Sequence, residues 1–89
     1  MDKIMSSVPR QSIFVQCRVI NNVKYIAINR EVFELDEVGE LVWESINGEK
    51  SISDIIDKVS RVYDVVPSDI RQDIEAFINE LIQKNLVEV

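Results

Sequence analysis

The sequence predicts an α+β domain, a three-stranded antiparallel sheet followed by three helices, and three observations carry that reading. Apolar residues alternate with others on both sides of Asn21 and Asn22, a period of two that signals paired strands. Downstream, apolar residues recur three and four apart in three separate stretches, the spacing of helix faces. Between the two patterns, residues 35–46 read Leu-Asp-Glu-Val-Gly-Glu-Leu-Val-Trp-Glu-Ser-Ile, the join at which the strand-rich half hands over to the helical half.

The first strand starts near Ile13, with Ile13, Val15, Cys17 and Val19 on one face and Phe14, Gln16 and Arg18 on the other. Asparagine tolerates the positive φ of a two-residue hairpin turn, so Asn21 and Asn22 join it to a second strand over residues 23–29. That turn sets Cys17 opposite Ile26 and Val15 opposite Ile28 on a shared face, which makes the register self-consistent. Asn29, Arg30 and Glu31 form the next turn. Residues 32–35 form a short third strand, with Phe33 and Leu35 toward the core and Val32 and Glu34 turned away. In a simple meander this strand is an edge, with a row of unpaired backbone N–H and C=O groups.

Asp36 is placed to cap the first helix, whose inner face is Val38, Leu41, Val42 and Ile46, with Trp43 as core filler. Gly39 is costly inside a helix, by about 1 kcal/mol against alanine, and is expected to admit a close backbone neighbour. Asn47 and Gly48 supply a left-handed stop, and Ser51 with Asp54 matches the capping-box pattern. The second helix carries Ile52, Ile55, Ile56, Val59, Val62 and Tyr63 as its stripe. Pro67 or Ser68 opens the third, whose stripe is Ile70, Ile74, Phe77, Ile78, Leu81 and Ile82. Asn85 is the stop before an extended tail. The order of elements, with a five-residue connector between the last two helices, is winged helix-turn-helix-like. Residues 1–11 are polar, hold Pro9, and read as a flexible arm; residues 12–89 are the domain.

Composition limits function. Eighty-nine residues with 46% hydrophobic and 29% charged side chains make one globular domain, too small for a deep enclosed active site. No apolar run has membrane-spanning or signal-peptide length, and the single Cys17 reads as a buried hydrophobe, so a reducing, cytoplasmic setting is expected. Residues 1–35 carry five basic and three acidic side chains; residues 36–89 carry five basic and thirteen acidic. The third helix opposes Asp69, Asp73, Glu75 and Glu80 to Arg71 and Lys84, a balance that phosphates would repel, so a nucleic-acid partner is not expected. Without histidine there is no His-based triad or His metal site. Two glycines allow no phosphate loop, and the carboxylate pairs Glu40/Glu44 and Asp54/Asp57 read as surface charge. No enzyme, metal or cofactor is expected. Binding is what remains.

The run over residues 35–43 with its Gly-x-x-x-Trp, Gly48, Ser-Ile-Ser-Asp-Ile-Ile over 51–56, Val-Val-Pro over 65–67, Asp-Ile-Glu-Ala-Phe-Ile-Asn-Glu-Leu over 73–81 and Leu86 together resemble the PqqD-like domains, also called RiPP precursor peptide recognition elements, across about residues 12–89. The resemblance implies a non-catalytic domain that captures the leader segment of a ribosomally made precursor peptide. The leader adds as a strand to the third strand and packs on the third helix. Carried over, the peptide-binding set is Glu31, Val32, Phe33, Glu34 and Leu35 with Asp69, Arg71, Asp73, Ile74, Phe77 and Ile78. Acidic groups such as Glu34, Asp69 and Asp73 would favour a basic leader residue. Within the family the chain looks most like the leader-binding component of lasso-peptide biosynthesis, whose partners are a leader peptidase and a cyclase. The alternatives are a PqqD-type chaperone for a radical SAM enzyme and a winged-helix module for protein or DNA.

Overall fold

The computed structural model describes residues 6–89, in the order β1 (Arg10–Gln11), β2 (Gln16–Ile20), β3 (Val23–Ile28), β4 (Glu31–Leu35), α1 (Glu37–Ser45), α2 (Ile52–Tyr63), α3 (Pro67–Gln83) and β5 (Val87–Glu88). The architecture is α+β, a three-stranded antiparallel sheet in the order β2-β3-β4 followed by three helices. Asn21 and Asn22 take φ of 54° and 66°, the left-handed backbone that a tight hairpin turn needs, and Cys17 pairs with Ile26. Asn29, at φ 53°, opens the second turn, which is one residue shorter than expected, so that Glu31 already belongs to β4.

Helix starts follow the local chemistry. The Asp36 carboxylate accepts the Gly39 N–H at 2.7 Å, and Ser51 and Asp54 form a reciprocal capping box. Pro67 opens α3 behind Val66, which has no side-chain cap. Gly48 (φ 80°) and Asn85 (φ 68°) take the left-handed backbone after α1 and α3. The core gathers Ile26, Ile28 and Leu35 of the sheet, Val42, Trp43 and Ile46 of the first helical segment, Ile52, Ile55, Ile56 and Val59 of α2, and Ile74, Ile78 and Leu81 of α3.

Four expectations need correction. The segment read as a loose arm is docked from Ser7 onward; residues 1–5 lie outside the described residues. Ser7 O accepts the Ile52 N–H, buried Pro9 accepts the Gly48 N–H through its carbonyl, and β1 pairs with β5 as a second, two-stranded sheet. The first strand begins at Gln16, with Ile13 and Phe14 exposed at 88% and 74%, and Cys17 is exposed as well. The helices cover β3 and β4 and leave β2 overhanging, so that of the face named by alternation Val15 packs against the core while Ile13, Cys17 and Val19 are exposed. Val62 and Tyr63 end the α2 stripe in solvent, because α2 outruns the core at its C-terminus. Finally, no foreign backbone crowds Gly39: a Cβ there would meet Asp36 Oδ1 at 3.1 Å and Leu35 Cδ2 at 3.5 Å, both side chains of the same helix entry.

Candidate peptide-binding groove

β4 is an open edge. Among the described residues no strand pairs along its far side, and β5 lies against β1 instead. The two-residue turn fixes which backbone groups face outward. Ile28 and Glu31 flank it and form a hydrogen-bonded pair, and pairs then alternate along the ladder. Phe33 and Leu35 therefore bond inward to Ile26 and Lys24, while Val32 and Glu34 turn their N–H and C=O groups to the free side. Their side chains alternate too. Leu35 is buried and Phe33 half-buried under the helices, whereas Val32 is 63% exposed on the outer face.

Beside the C-terminal end of this edge lies a groove of about 490 Å³ between β4, the start of α1 and one flank of α3. Leu35, Val38, Val42, Ile74 and Phe77 give it an apolar lining, Asp36 and Asp73 add carboxylates, and Glu34 borders it from the strand with its side chain on the outer face beside Val32. At the opposite end of β4, Lys84 Nζ meets Glu31 Oε2 at 3.4 Å and ties the strand to the C-terminus of α3.

The groove brings together Glu34, Leu35, Asp73, Ile74 and Phe77 of the expected set. Glu31, Val32 and Phe33 belong to the same edge without lining it. Three residues stand elsewhere. Ile78 is wholly buried in the core. Asp69 is exposed one turn before Asp73, outside the lining. Arg71 is two positions from Asp73, about 200° around the helix, and it bonds Glu75 at 2.8 Å while lining a cleft against α2. Sequence reasoning missed Asp36, Val38, Gly39 and Val42. The available signal was the Val38/Val42 stripe, which runs from the core into the groove, with the side-chain-free Gly39 at its mouth. Among the described residues no group of three His, Cys, Asp or Glu side chains could hold a metal ion, and no helix is long and apolar enough to cross a membrane.

A family model, Coenzyme PQQ synthesis protein D (PqqD), matches residues 19–87. The chain belongs to the PqqD family. Its fold matches the solution NMR structure of the PqqD truncation of Methylobacterium extorquens PqqCD, which is described as a functional and stand-alone RiPP recognition element. The two are 28% identical, with a TM-score of 0.78, over 96% of this chain and 93% of that one. No curated protein sequence matches this chain. The PqqD match spans β3, β4 and all three helices, and so contains every residue that lines the groove.

Proposed function

We propose that this PqqD-family domain is a non-catalytic binder of the leader region of a ribosomally synthesised precursor peptide. The leader adds as a strand to β4 and sets side chains into the groove against α3. The observation that carries this is the unpaired β4 edge directly beside an apolar groove. Backbone pairing at an open edge gives affinity with little sequence preference, and pockets for alternate side chains give selectivity. The family supports the reading, since the M. extorquens relative is itself described as a RiPP recognition element.

The bound leader is then handed to processing enzymes. In the lasso-peptide reading these are a leader peptidase and a cyclase, and the setting is cytoplasmic. The PqqD description of both matches favours a second reading, in which the recipient is a radical SAM enzyme. Co-purification of the peptide-loaded domain with each candidate enzyme separates the two.

Capture is tested by titrating fluorescent synthetic leader peptides of ribosomally made precursors against proline variants. Val32→Pro and Glu34→Pro each remove one outward N–H and spare the inward ladder. One net hydrogen bond is worth about 0.5–1.5 kcal/mol, so each variant should bind about 2- to 12-fold more weakly. Val19→Pro on the opposite edge of the sheet should bind as wild type does. Circular dichroism checks that all three are folded. Unchanged affinity in folded Val32→Pro and Glu34→Pro refutes strand addition at β4.

A further inference from the structure

Among the described residues no helix covers the outer face of the sheet. Across it the strand register aligns Gln16, Ala27 and Val32 in one row and Arg18, Tyr25 and Glu34 in the next. With Ile20, a residue 54% exposed, these rows bound a shallow cleft of about 360 Å³, and Ile20, Tyr25, Ala27 and Val32 supply its apolar surface. Apolar side chains gathered on a sheet face gain free energy when something covers them. Val32 belongs to this cleft and is also one of the two residues whose backbone faces the open edge. The cleft is therefore continuous with the edge, and any strand added to β4 must lay alternate side chains beside Val32.

The C-terminal end of this edge is marked by charge. Asp36 and Asp73 line the groove on the other face, Glu34 stands beside them at the end of the outer-face row, and among the described residues no lysine or arginine lines the groove. Among the described residues Glu34 and Asp73 make no side-chain ion pair, whereas Lys84, at the far end of β4, is held by Glu31. Negative potential is thus concentrated at the C-terminal end of the edge, where a cation on the guest meets no competitor from the groove wall.

We infer that the segment captured by β4 is read on both of its faces: apolar side chains enter the groove with a lysine or arginine at the end beside Glu34, Asp36 and Asp73, and the outward residue beside Val32 is apolar too. This rests on the capture reading and deepens it. The substrate class is a short extended run of consecutive apolar residues with a basic flank, in contrast to the apolar–polar alternation of a strand with one wet face.

The test is selection of short random displayed peptides on the full chain, run in parallel on Glu34→Gln/Asp73→Asn, on Val32→Ser and on Glu49→Gln/Asp57→Asn. The last makes the same change in net charge away from the groove. Wild type and this control should enrich consecutive apolar residues with a basic flank. Glu34→Gln/Asp73→Asn should lose the flank, and Val32→Ser should relax the outward position to polar residues. A synthetic copy of a wild-type binder should bind Glu34→Gln/Asp73→Asn about three- to tenfold more weakly at low salt, with the difference vanishing at high salt. Asp36 is left in place because it caps α1. Enriched peptides without the flank, strict alternation, or a flank lost equally in the control overturns the inference. If such peptides are weakened by Val32→Pro and Glu34→Pro, only the two-faced reading falls. If they bind those proline variants as tightly as wild type, or if nothing is enriched, capture at β4 falls with it.

Discussion

At Gly39 two local preferences compete. Replacing glycine by alanine inside a helix gains about 1 kcal/mol, but the new Cβ would stand 3.1 Å from Asp36 Oδ1, the atom that accepts the Gly39 N–H. Displacing that cap costs a similar amount, about 0.5–2 kcal/mol. Gly39→Ala should therefore shift stability by less than about 1 kcal/mol in the wild-type background. In Asp36→Ala, already weakened by loss of the cap, the same change should stabilise by about 0.5–1 kcal/mol, because nothing is left to crowd. Urea unfolding of the four chains measures the coupling, and additive effects would refute the crowding. Cys17 offers a simpler check. Exposed on the overhanging strand, it should react stoichiometrically with a thiol reagent without denaturant, and protection until unfolding would contradict that placement.

The hairpins show what a sequence pattern can and cannot carry. Turn chemistry and register were legible because both are local: two asparagines that accept positive φ, and a period of two counted outward from them. Asn22→Val should cost about 1–2 kcal/mol, since a β-branched residue is strained at φ 66°, whereas Asn22→Gly should be tolerated. Equal unfolding midpoints for the two would contradict a left-handed backbone at Asn22. Which face of a strand meets the helices was legible at β3 and β4 and misleading at β2, because alternation says nothing about how far the helical layer reaches. The groove divides in the same way. Leu35, Ile74 and Phe77 lie on stripes that periodicity reveals, and Glu34 and Asp73 are their neighbours. The α1 contribution was hidden because Asp36, Val38 and Val42 already had sufficient explanations as cap and core. Arg71 was carried over from the family resemblance with the helix flank of Ile74 and Ile78, although helical geometry turns it away from Asp73 and into the cleft against α2.

For the molecule as a whole, β1 and β5 close the fold, a feature the sequence concealed for a physical reason. A strand of two residues is too short for alternation, and β1 and β5 are joined through backbone groups that leave no side-chain signature. Arg10 pairs with Glu88 and Gln11 with Val87, the Ser12 N–H bonds Leu86 O at 2.9 Å, and the Gln11 side-chain amide reaches Trp43 O at 2.9 Å. Leu86 and Val87 are almost entirely buried. Burial of such side chains contributes about 1.5–3 kcal/mol each. Truncation after Asn85 should therefore remove about 3–6 kcal/mol from a domain whose total is of order 5–15 kcal/mol, leaving it unfolded or with a much lower urea midpoint. The Arg10–Glu88 ion pair, 3.2 Å long with both side chains more than half exposed, belongs to a different class. Arg10→Ala should cost no more than about 1 kcal/mol. The contrast separates apolar burial from surface charge at one place in the fold: a truncation as mild as Arg10→Ala would mean that the two-stranded sheet is an ornament, and that the core is already complete at α3.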